Sequence, residues 1–473
     1  MNKRYLSLAS DTMLFGVSSL TSKLVIFVLL PIYTSVLSSQ EYGIADMITN
    51  LVNLFYPLLT LAVAEAVLRY SLSSDYNRNE LISTSFIYIC FVIILLFVVG
   101  ENTISTDNVI GKYWGFFVAL FGGYSIQNLF SSFCKSIGKN VIFAVQGISQ
   151  TFFSVFLTSL LMLVFKMKEI GFLWGCMGGY ILAIIFMFFG GELYKNLFPL
   201  SFNFGCLINL LKYSVPLVPS MLGWWLNNSA DKYVIIMMMG IGASGIYAVA
   251  HKIPSILTVI ADIFNQAFLL SSVNNVNEAD YLDFTKKIWN MYFVVNCAGG
   301  IVVISLSELI GKVLFTKYYN AWVFIPFLVV SAIFSNFSAF LTCMYKAIKI
   351  TNVLFVSTII GAVINIILNF FFVYSLGLIG AGLATMISFA VVYIIRYQVL
   401  KRHIKVDFLW SKDVCIIVLI ILFSFSMSYI LFIRYLLAIV SFLLFVFLYN
   451  IELRNIIKTI PQLIKVVINR NRI

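Results

Sequence analysis

Ionisable side chains inside long apolar stretches are the candidates for chemistry in this 473-residue sequence: Lys23, Glu65, Asp231, Lys232, His251, Lys252 and Asp262. A charge in the middle of such a stretch costs about 2.5–3.5 kcal/mol on insertion scales, so it faces a cavity or a partner by default. Lys23 stands among Ser18, Ser19, Thr21 and Ser22. Its compact charge and three donors suit a phosphate-bearing anion. An ion pair with Glu65 or Asp231 explains Lys23 as well, and both readings stay open. Asp231-Lys232 follows Trp224-Trp225-Leu226-Asn227-Asn228-Ser229, an aromatic and amide run of the kind that meets sugar rings. Lys23, Glu65, Trp224, Asn228, Lys232 and Lys252 are therefore the substrate-binding candidates. Asp231, His251 and Asp262 are the candidates for coupling to protons or sodium. Asp231 has a second reading, as the partner of Lys232 or Lys252. His251 titrates near neutral pH or serves as a hydrogen-bonded packing residue. No catalytic set and no metal-ligand spacing accompanies them, and no cofactor is expected.

The elements that hold these residues follow from composition. Hydrophobic residues make up 61% and charged residues 11%, with a mean hydropathy of +1.00. Soluble domains are about a quarter charged, so a soluble enzyme is excluded. Apolar stretches long enough to cross a bilayer recur at 11–37, 43–70, 81–100, 113–134, 141–165, 170–191, 213–238, 243–271, 288–310, 321–345, 350–375, 379–400, 413–433 and 435–450. The expected fold is an all-α polytopic membrane protein of about fourteen transmembrane helices.

Charge placement tests that segmentation. With connectors assigned alternately, 22 of the 31 Lys and Arg residues fall on the side of the N-terminus, Arg396 counted among them, six fall opposite, and three lie within spans. The positive-inside rule then puts both termini in the cytoplasm. The net charge of +12 lies in connectors and tail rather than in an aromatic-interleaved basic domain, so nucleic acid is not the expected partner. The seven cysteines have no disulfide or metal spacing and read as small core residues. The apolar run after Lys3 and Arg4 reads as a retained first helix. The stretch 451–473 alternates Ile456, Ile457, Ile460 and Ile464 with Arg454, Lys458 and Lys465. It reads as an amphipathic helix on an anionic membrane surface.

A weak repeat runs through the chain. Gly43-Ile44 opens one span as Gly245-Ile246 opens another, Lys135-Ser136-Ile137 resembles Lys346-Ala347-Ile348, and Ile170-Gly171 resembles Ile379-Gly380. Order and near-constant offset suggest two six-helix halves, 1–200 and 201–400, followed by helices 13 and 14 at 401–450 and the tail at 451–473. Glycine runs such as Gly171, Gly175, Gly178 and Gly179 fit close helix approach rather than phosphate loops.

Three motifs occur together and in order. They are Leu37-Ser-Ser-Gln-Glu-Tyr42-Gly43; Tyr213-Ser-Val-Pro216-Leu-Val-Pro219 with Asp231-Lys232-Tyr233 and Gly245-Ile-Tyr247-Ala-Val-Ala250-His-Lys252; and Gly377-Leu-Ile-Gly380-Ala-Gly-Leu-Ala-Thr385. From about residue 8 to 400 the chain resembles bacterial polysaccharide and O-antigen flippases, the oligosaccharide translocase branch of the multidrug/oligosaccharidyl-lipid/polysaccharide exporter superfamily. The resemblance implies two six-helix lobes in a V around a central cavity. It implies transfer of undecaprenyl-diphosphate-linked repeat units, as in lipopolysaccharide or other polysaccharide synthesis, from the cytoplasmic to the outer leaflet of the inner membrane by alternating access. Partners would be the lipid-linked oligosaccharide and other polysaccharide-assembly membrane proteins. The alternatives are a multi-pass glycosyltransferase, polymerase or ligase on the same lipid carrier, or a drug or peptidoglycan-precursor exporter of the same fold. The enzyme alternative lacks an outer loop carrying acid/base groups, since 101–112 offers only Glu101 and Asp107.

If Lys23 meets the substrate's anionic head, Lys23→Ala lowers translocation at matched levels of inserted protein. Unchanged transport removes Lys23 from the site.

Overall fold

The computed structural model describes residues 30–72, 77–105, 107–275, 281–314, 317–348, 350, 352–404, 411–426 and 431–450. Lys23, most of the first expected span and the tail 451–473 lie outside them. The described residues form helices joined by short turns: α1 (Leu30–Val36), α2 (Ser39–Leu59), α3 (Val63–Ser71), α4 (Arg78–Thr103), α5 (Trp114–Ser136), α6 (Asn140–Leu163), α7 (Lys168–Gly190), α8 (Phe204–Ser214), α9 (Val218–Met239), α10 (Ile241–His251), α11 (Ser255–Asn275), α12 (Tyr281–Ser305), α13 (Ser307–Leu314), α14 (Ile325–Ala347), α15 (Asn352–Leu376), α16 (Leu378–Ile404), α17 (Ser411–Ser426) and α18 (Leu431–Leu448). Eight helical segments are long and apolar enough to cross a membrane, with α8 and α9 counted as one, and two bent pairs raise this to ten. The protein is a multi-pass, all-α membrane protein.

Helix ends are set locally. Ser38 and Glu41 form a capping box that starts α2, and the Asn77 and Asn203 side chains accept the first amides of α4 and α8. Between α2 and α3 the chain bends by 60°. Pro57 removes a backbone donor and Thr60 Oγ1 turns back onto the Tyr56 carbonyl at 2.6 Å. Leu61 and Ala62 then both adopt left-handed backbone at φ 50° and 54°. Two side-chain-bearing residues in that region cost energy that neighbouring helices must supply. Tyr88 helps by donating its hydroxyl to the Leu59 carbonyl at 3.2 Å. The second bend, 48°, falls between α10 and α11 at Lys252–Pro254.

Contacts divide the chain into two compact units. The first holds Met1–Val249 with Leu314–Tyr318, and the second holds Ala250–Val313 with Tyr319–Ile473. In the first, α3 is buried against α4, α5 and α8 through Val63, Ala66, Val67, Ile82, Ile89, Leu129 and Phe133. α6 and α7 pack as a close hairpin, because Gly175 abuts Thr158 and Gly179 abuts Ser154, where any Cβ would overlap the neighbour. Residues 204–249 join this unit because α8 packs on α3 and α4, and α9 packs on α2.

In the second unit α14 is the central helix, buried along nearly its whole length and contacting α11, α12, α16 and α17. Around it gather Trp289, Tyr292, Phe293, Phe337, Phe340 and Tyr393, with Phe293 and Phe337 stacked at 5.2 Å. Outward faces carry exposed Phe91, Ile94, Phe152, Phe156, Phe355, Ile367 and Phe371. Apolar surface so extensive is a lipid face rather than a water face.

Candidate functional site

The strongest polar cluster lies where α2 meets α9 and α10. α2 enters from its capping box, and seven residues along it stands Asp46; seven residues before the end of α9 stands Lys232. At 1.5 Å per residue both sit about 10 Å from their helix ends, at matching depth. Lys232 Nζ meets Asp46 Oδ2 at 2.8 Å, and the two side chains are only 10% and 9% exposed. Asn50, one turn along α2, donates Nδ2 to the same oxygen at 2.9 Å. Asn50 also accepts from Ser229 Oγ at 3.2 Å through Oδ1, and from Trp225 Nε1 at 3.2 Å through its carbonyl. Asp231, beside Lys232, accepts the Tyr247 hydroxyl at 2.7 Å and the Lys232 amide at 2.9 Å. Two carboxylates and one ammonium are thus buried within one shell of amide, indole and hydroxyl groups.

The backbones approach closely beside this cluster. A Cβ on Gly43 would lie 2.3 Å from the Ile241 carbonyl oxygen, and one on Gly245 would lie 2.0 Å from the Ser39 carbonyl oxygen and 2.9 Å from the Gly43 nitrogen. Gly43 and Gly245, the residues that open corresponding stretches of the weak repeat, touch each other. Glu41 of the capping box takes Lys168 Nζ at 2.6 Å, while Tyr113 donates to Glu169 at 2.7 Å. The segment after α13 bonds back to α1 and the residues that follow it, with Lys317 Nζ on the Val36 carbonyl at 3.0 Å and Tyr318 on the Leu37 carbonyl at 3.1 Å.

The other expected site residues lie as follows. Trp224 is exposed while its neighbour Trp225 is buried. Asn228 donates its amide to the Trp224 carbonyl of its own helix at 2.7 Å. Glu65 is half-buried in the first turn of α3, after the bend. His251, Lys252 and Asp262 belong to the second unit, the first two at the α10–α11 bend and Asp262 within α11.

Two buried charges escaped the sequence reading. Asp46 lies inside the stretch 43–70, yet was not counted among the intramembrane charges; its signal was a depth equal to that of Lys232. Arg396, assigned to the connector charges, is 9% exposed within α16, which runs on to Ile404. Its guanidinium donates to Ser357 Oγ, Thr342 Oγ1 and Thr358 Oγ1, each at 2.9 Å, and to the Ser338 carbonyl at 3.2 Å. Nearby, Asn365 donates to Thr385 and Ser388 at 3.4 and 3.3 Å. A cleft of about 600 Å³ lies elsewhere, lined by Gly138, Lys139, Asn140, Phe189 and Glu192. There the hydrogen bond and charge of Lys195 hold the Glu192 carboxyl below its usual range. Among the described residues no group of three or more His, Cys, Asp or Glu is gathered that would hold a metal.

The family model described as "Polysaccharide biosynthesis protein" matches residues 8–270. The chain is 26% identical over 215 residues to the probable low-salt glycan biosynthesis flippase Agl15 of Haloferax volcanii, covering 44% of this chain and 45% of that protein. It is also 26% identical over 218 residues to an uncharacterized membrane protein of Methanocaldococcus jannaschii, covering 44% of this chain and 49% of that one. The chain thus spans about half the length of the curated relatives it matches. Among solved structures, the lipid II flippase MurJ in its inward closed conformation covers 95% of this chain and is itself covered completely, with a TM-score of 0.67 at 16% identity. An inward-facing multidrug resistance MATE family transporter covers 81% of this chain and is 94% covered, with a TM-score of 0.62 at 13% identity. These likenesses establish the fold.

Removing one partner of a buried ion pair leaves the other charge stranded, at a cost of about 3–5 kcal/mol. Asp46→Leu and Lys232→Met are each expected to lower the thermal stability of the purified protein by that order, and the double substitution is expected to recover most of it. A double variant as unstable as the two losses added together would show that the residues do not act as a pair.

Proposed function

The chain belongs to the polysaccharide biosynthesis protein family, and from that premise we propose that it is a flippase for lipid-linked glycans, a transporter rather than an enzyme. The observation that carries this reading is the family match across more than half of the chain. The relative named as a probable glycan biosynthesis flippase and the fold shared with a lipid II flippase support it. In the finer form of the proposal the substrate is an undecaprenyl-diphosphate oligosaccharide, an O-antigen or similar repeat unit. It passes from the cytoplasmic to the outer leaflet of the inner membrane, with both termini of the protein cytoplasmic.

The proposed cycle uses 1–200 and 201–400 as two six-helix lobes, with 401–450 as an added helix pair and 451–473 as an inner-surface tail. On this division α2 belongs to one lobe and α9 and α10 to the other. The Asp46–Lys232 pair and the Gly43–Gly245 approach are then joints that part when the cavity opens on that side. Lys232, released from Asp46, becomes available to an anionic diphosphate, a strong acceptor for an ammonium group. Lys23, Glu65, Trp224, Asn228 and Lys252 remain proposed substrate contacts, and Asp231, His251 and Asp262 proposed sites of proton or sodium coupling. Such exchange of partners lets a ligand bias a two-state element by its differential affinity for the two states.

The test is reconstitution with a lipid-diphosphate oligosaccharide, following intact substrate into the opposite leaflet with and without the protein and weighing the glycan afterwards. Accelerated passage of unaltered glycan is expected, with Asp231→Asn changing the response to an imposed proton or sodium gradient. A lengthened or transferred glycan would mean an enzyme, and no acceleration would overturn the flippase reading. A gradient response unchanged in Asp231→Asn would remove Asp231 from coupling.

A further inference from the structure

The end of the first unit at which α5 stops, α6 starts and α7 stops carries a cleft that the proposed cycle does not use. α6 and α7 are each long and apolar enough to cross a membrane. At 1.5 Å per residue their 24 and 23 residues run about 35 Å, past a hydrocarbon core of about 30 Å. Asn140 and Gly190, at neighbouring ends of this hairpin, therefore stand at the level of lipid headgroups. The aromatic residues agree with that depth. Exposed Phe189, Tyr194 and Phe198 gather around Phe188, and the amphipathic tyrosine ring favours the headgroup region.

The cleft has a volume of about 600 Å³, with 138–142 on one side and Phe189, Gly190 and Glu192 on the other, a size usual for small-molecule sites. Its two turns differ in one respect. α5 is followed by left-handed Gly138 at φ 79°, and α7 by left-handed Glu192 at φ 50°. Glycine takes that conformation freely, whereas a glutamate there is strained. What Glu192 gains is contact with cations. Lys195 Nζ lies 2.8 Å from its Oε1 and Lys139 Nζ 3.6 Å from its Oε2, while Lys139 also donates to the Gly191 carbonyl at 2.7 Å. Two ammonium groups thus share one carboxylate, and both side chains stay partly exposed. Lys135 adds a third cation, 5.5 Å from the centre of the Phe143 ring. The rim is apolar. Val141 and Phe189 are 61% and 65% exposed, and Val145 and Ile185, one turn farther into the membrane on each helix, are exposed as well.

Cations beside an apolar rim at headgroup depth suit a ligand with a phosphate at one end and acyl chains at the other. We infer that this cleft binds an anionic glycerophospholipid of the surrounding membrane, with Lys139 and Lys195 on its phosphate and Val141 and Phe189 against its chains. A zwitterionic lipid brings its own ammonium group, which the surplus of lysines repels. A free anion has no chains for the rim. The bound lipid ties the turn between α5 and α6 to the end of α7. This inference stands without the flippase reading, since the lipid is a resident of the site and not cargo.

The test places the purified full chain in nanodiscs of mixed phosphatidylcholine and phosphatidylglycerol, transfers it to mild detergent and counts the retained phospholipids by native mass spectrometry. Preferential retention of phosphatidylglycerol is expected. A lysine beside an anionic headgroup is worth about fivefold in binding, so Lys139→Gln with Lys195→Gln is expected to lower that preference by about tenfold or more. Glu192→Gln leaves both lysines to the lipid and is expected to raise the preference, a direction that structural damage does not produce. Lys195→Gln alone, on an exposed side chain, decides the matter if the double variant does not fold. Equal retention of the two lipids, or a preference that the folded lysine variants keep, overturns the proposal. Displacement of the lipid by inorganic phosphate would mean a free-anion site, and displacement by a prenyl diphosphate would mean a cargo site; either result also overturns it. Glycan passage is measured separately in the vesicle assay, and its failure would leave the lipid count unchanged.

Discussion

Hydrocarbon offers no hydrogen-bond partners, so every backbone amide, carbonyl and charge within the bilayer has to be satisfied by the protein itself. That constraint explains why the described chain is helical throughout its long elements, and it gives meaning to the places where helix is interrupted. Between Leu59 and Val63 the ladder breaks, and the Leu59 carbonyl there is taken up by the Tyr88 hydroxyl, while Thr60 Oγ1 adds a second donor to the Tyr56 carbonyl that its own amide already meets. The left-handed Leu61 and Ala62 are held because α3 is buried among α4, α5 and α8. A strained bend of this sort persists only when its surroundings over-determine it.

The same constraint governs buried cations, and the protein meets it in two ways. Lys232 has a carboxylate, Asp46, with Asn50 completing that oxygen's shell. Arg396 instead has four neutral acceptors drawn from α14 and α15. The difference suits the two side chains, since guanidinium spreads its charge over a planar fork of five donors while ammonium concentrates it at one point. It also separates two roles. A guanidinium spread over several acceptors fastens α14, α15 and α16 together. A single ammonium–carboxylate contact can be exchanged for another anion in one step, which is the property that the proposed cycle requires of the α2–α9 joint.

Small residues do for the backbone what these pairs do for charge. Gly175 and Gly179 bring α7 onto α6, and Gly43 and Gly245 bring the start of α2 onto α10. The second contact lies beside the ion pair, and its two members are counterparts in a repeat.

The sequence by itself determined that this is a membrane protein, roughly where its helices run, and several of the residues costly enough to matter, Asp46 and Arg396 excepted. Hydropathy and the cost of intramembrane charge are local properties, readable at Asp231, Lys232 or Asp262 without knowing their neighbours. Family motifs added the flippase expectation in the same local way. Which charges pair was decided only by tertiary structure, because pairing depends on depth and on the rotation of two helices far apart in the chain. Lys232 stands in the sequence as a substrate-binding candidate, with Asp231 offered Lys232 or Lys252 as an alternative partner, whereas in the structure Lys232 reaches across 186 positions to Asp46. Arg396 looked like a connector charge because its satisfaction comes from Ser and Thr residues on two other helices, groups that carry no hydropathy signal. The grouping of residues 204–249 with the first unit was likewise invisible in the repeat, since it follows from α8 and α9 packing on α2, α3 and α4. Hydropathy reports that a segment must be buried or lie in lipid; only the shapes of the facing side chains decide against what.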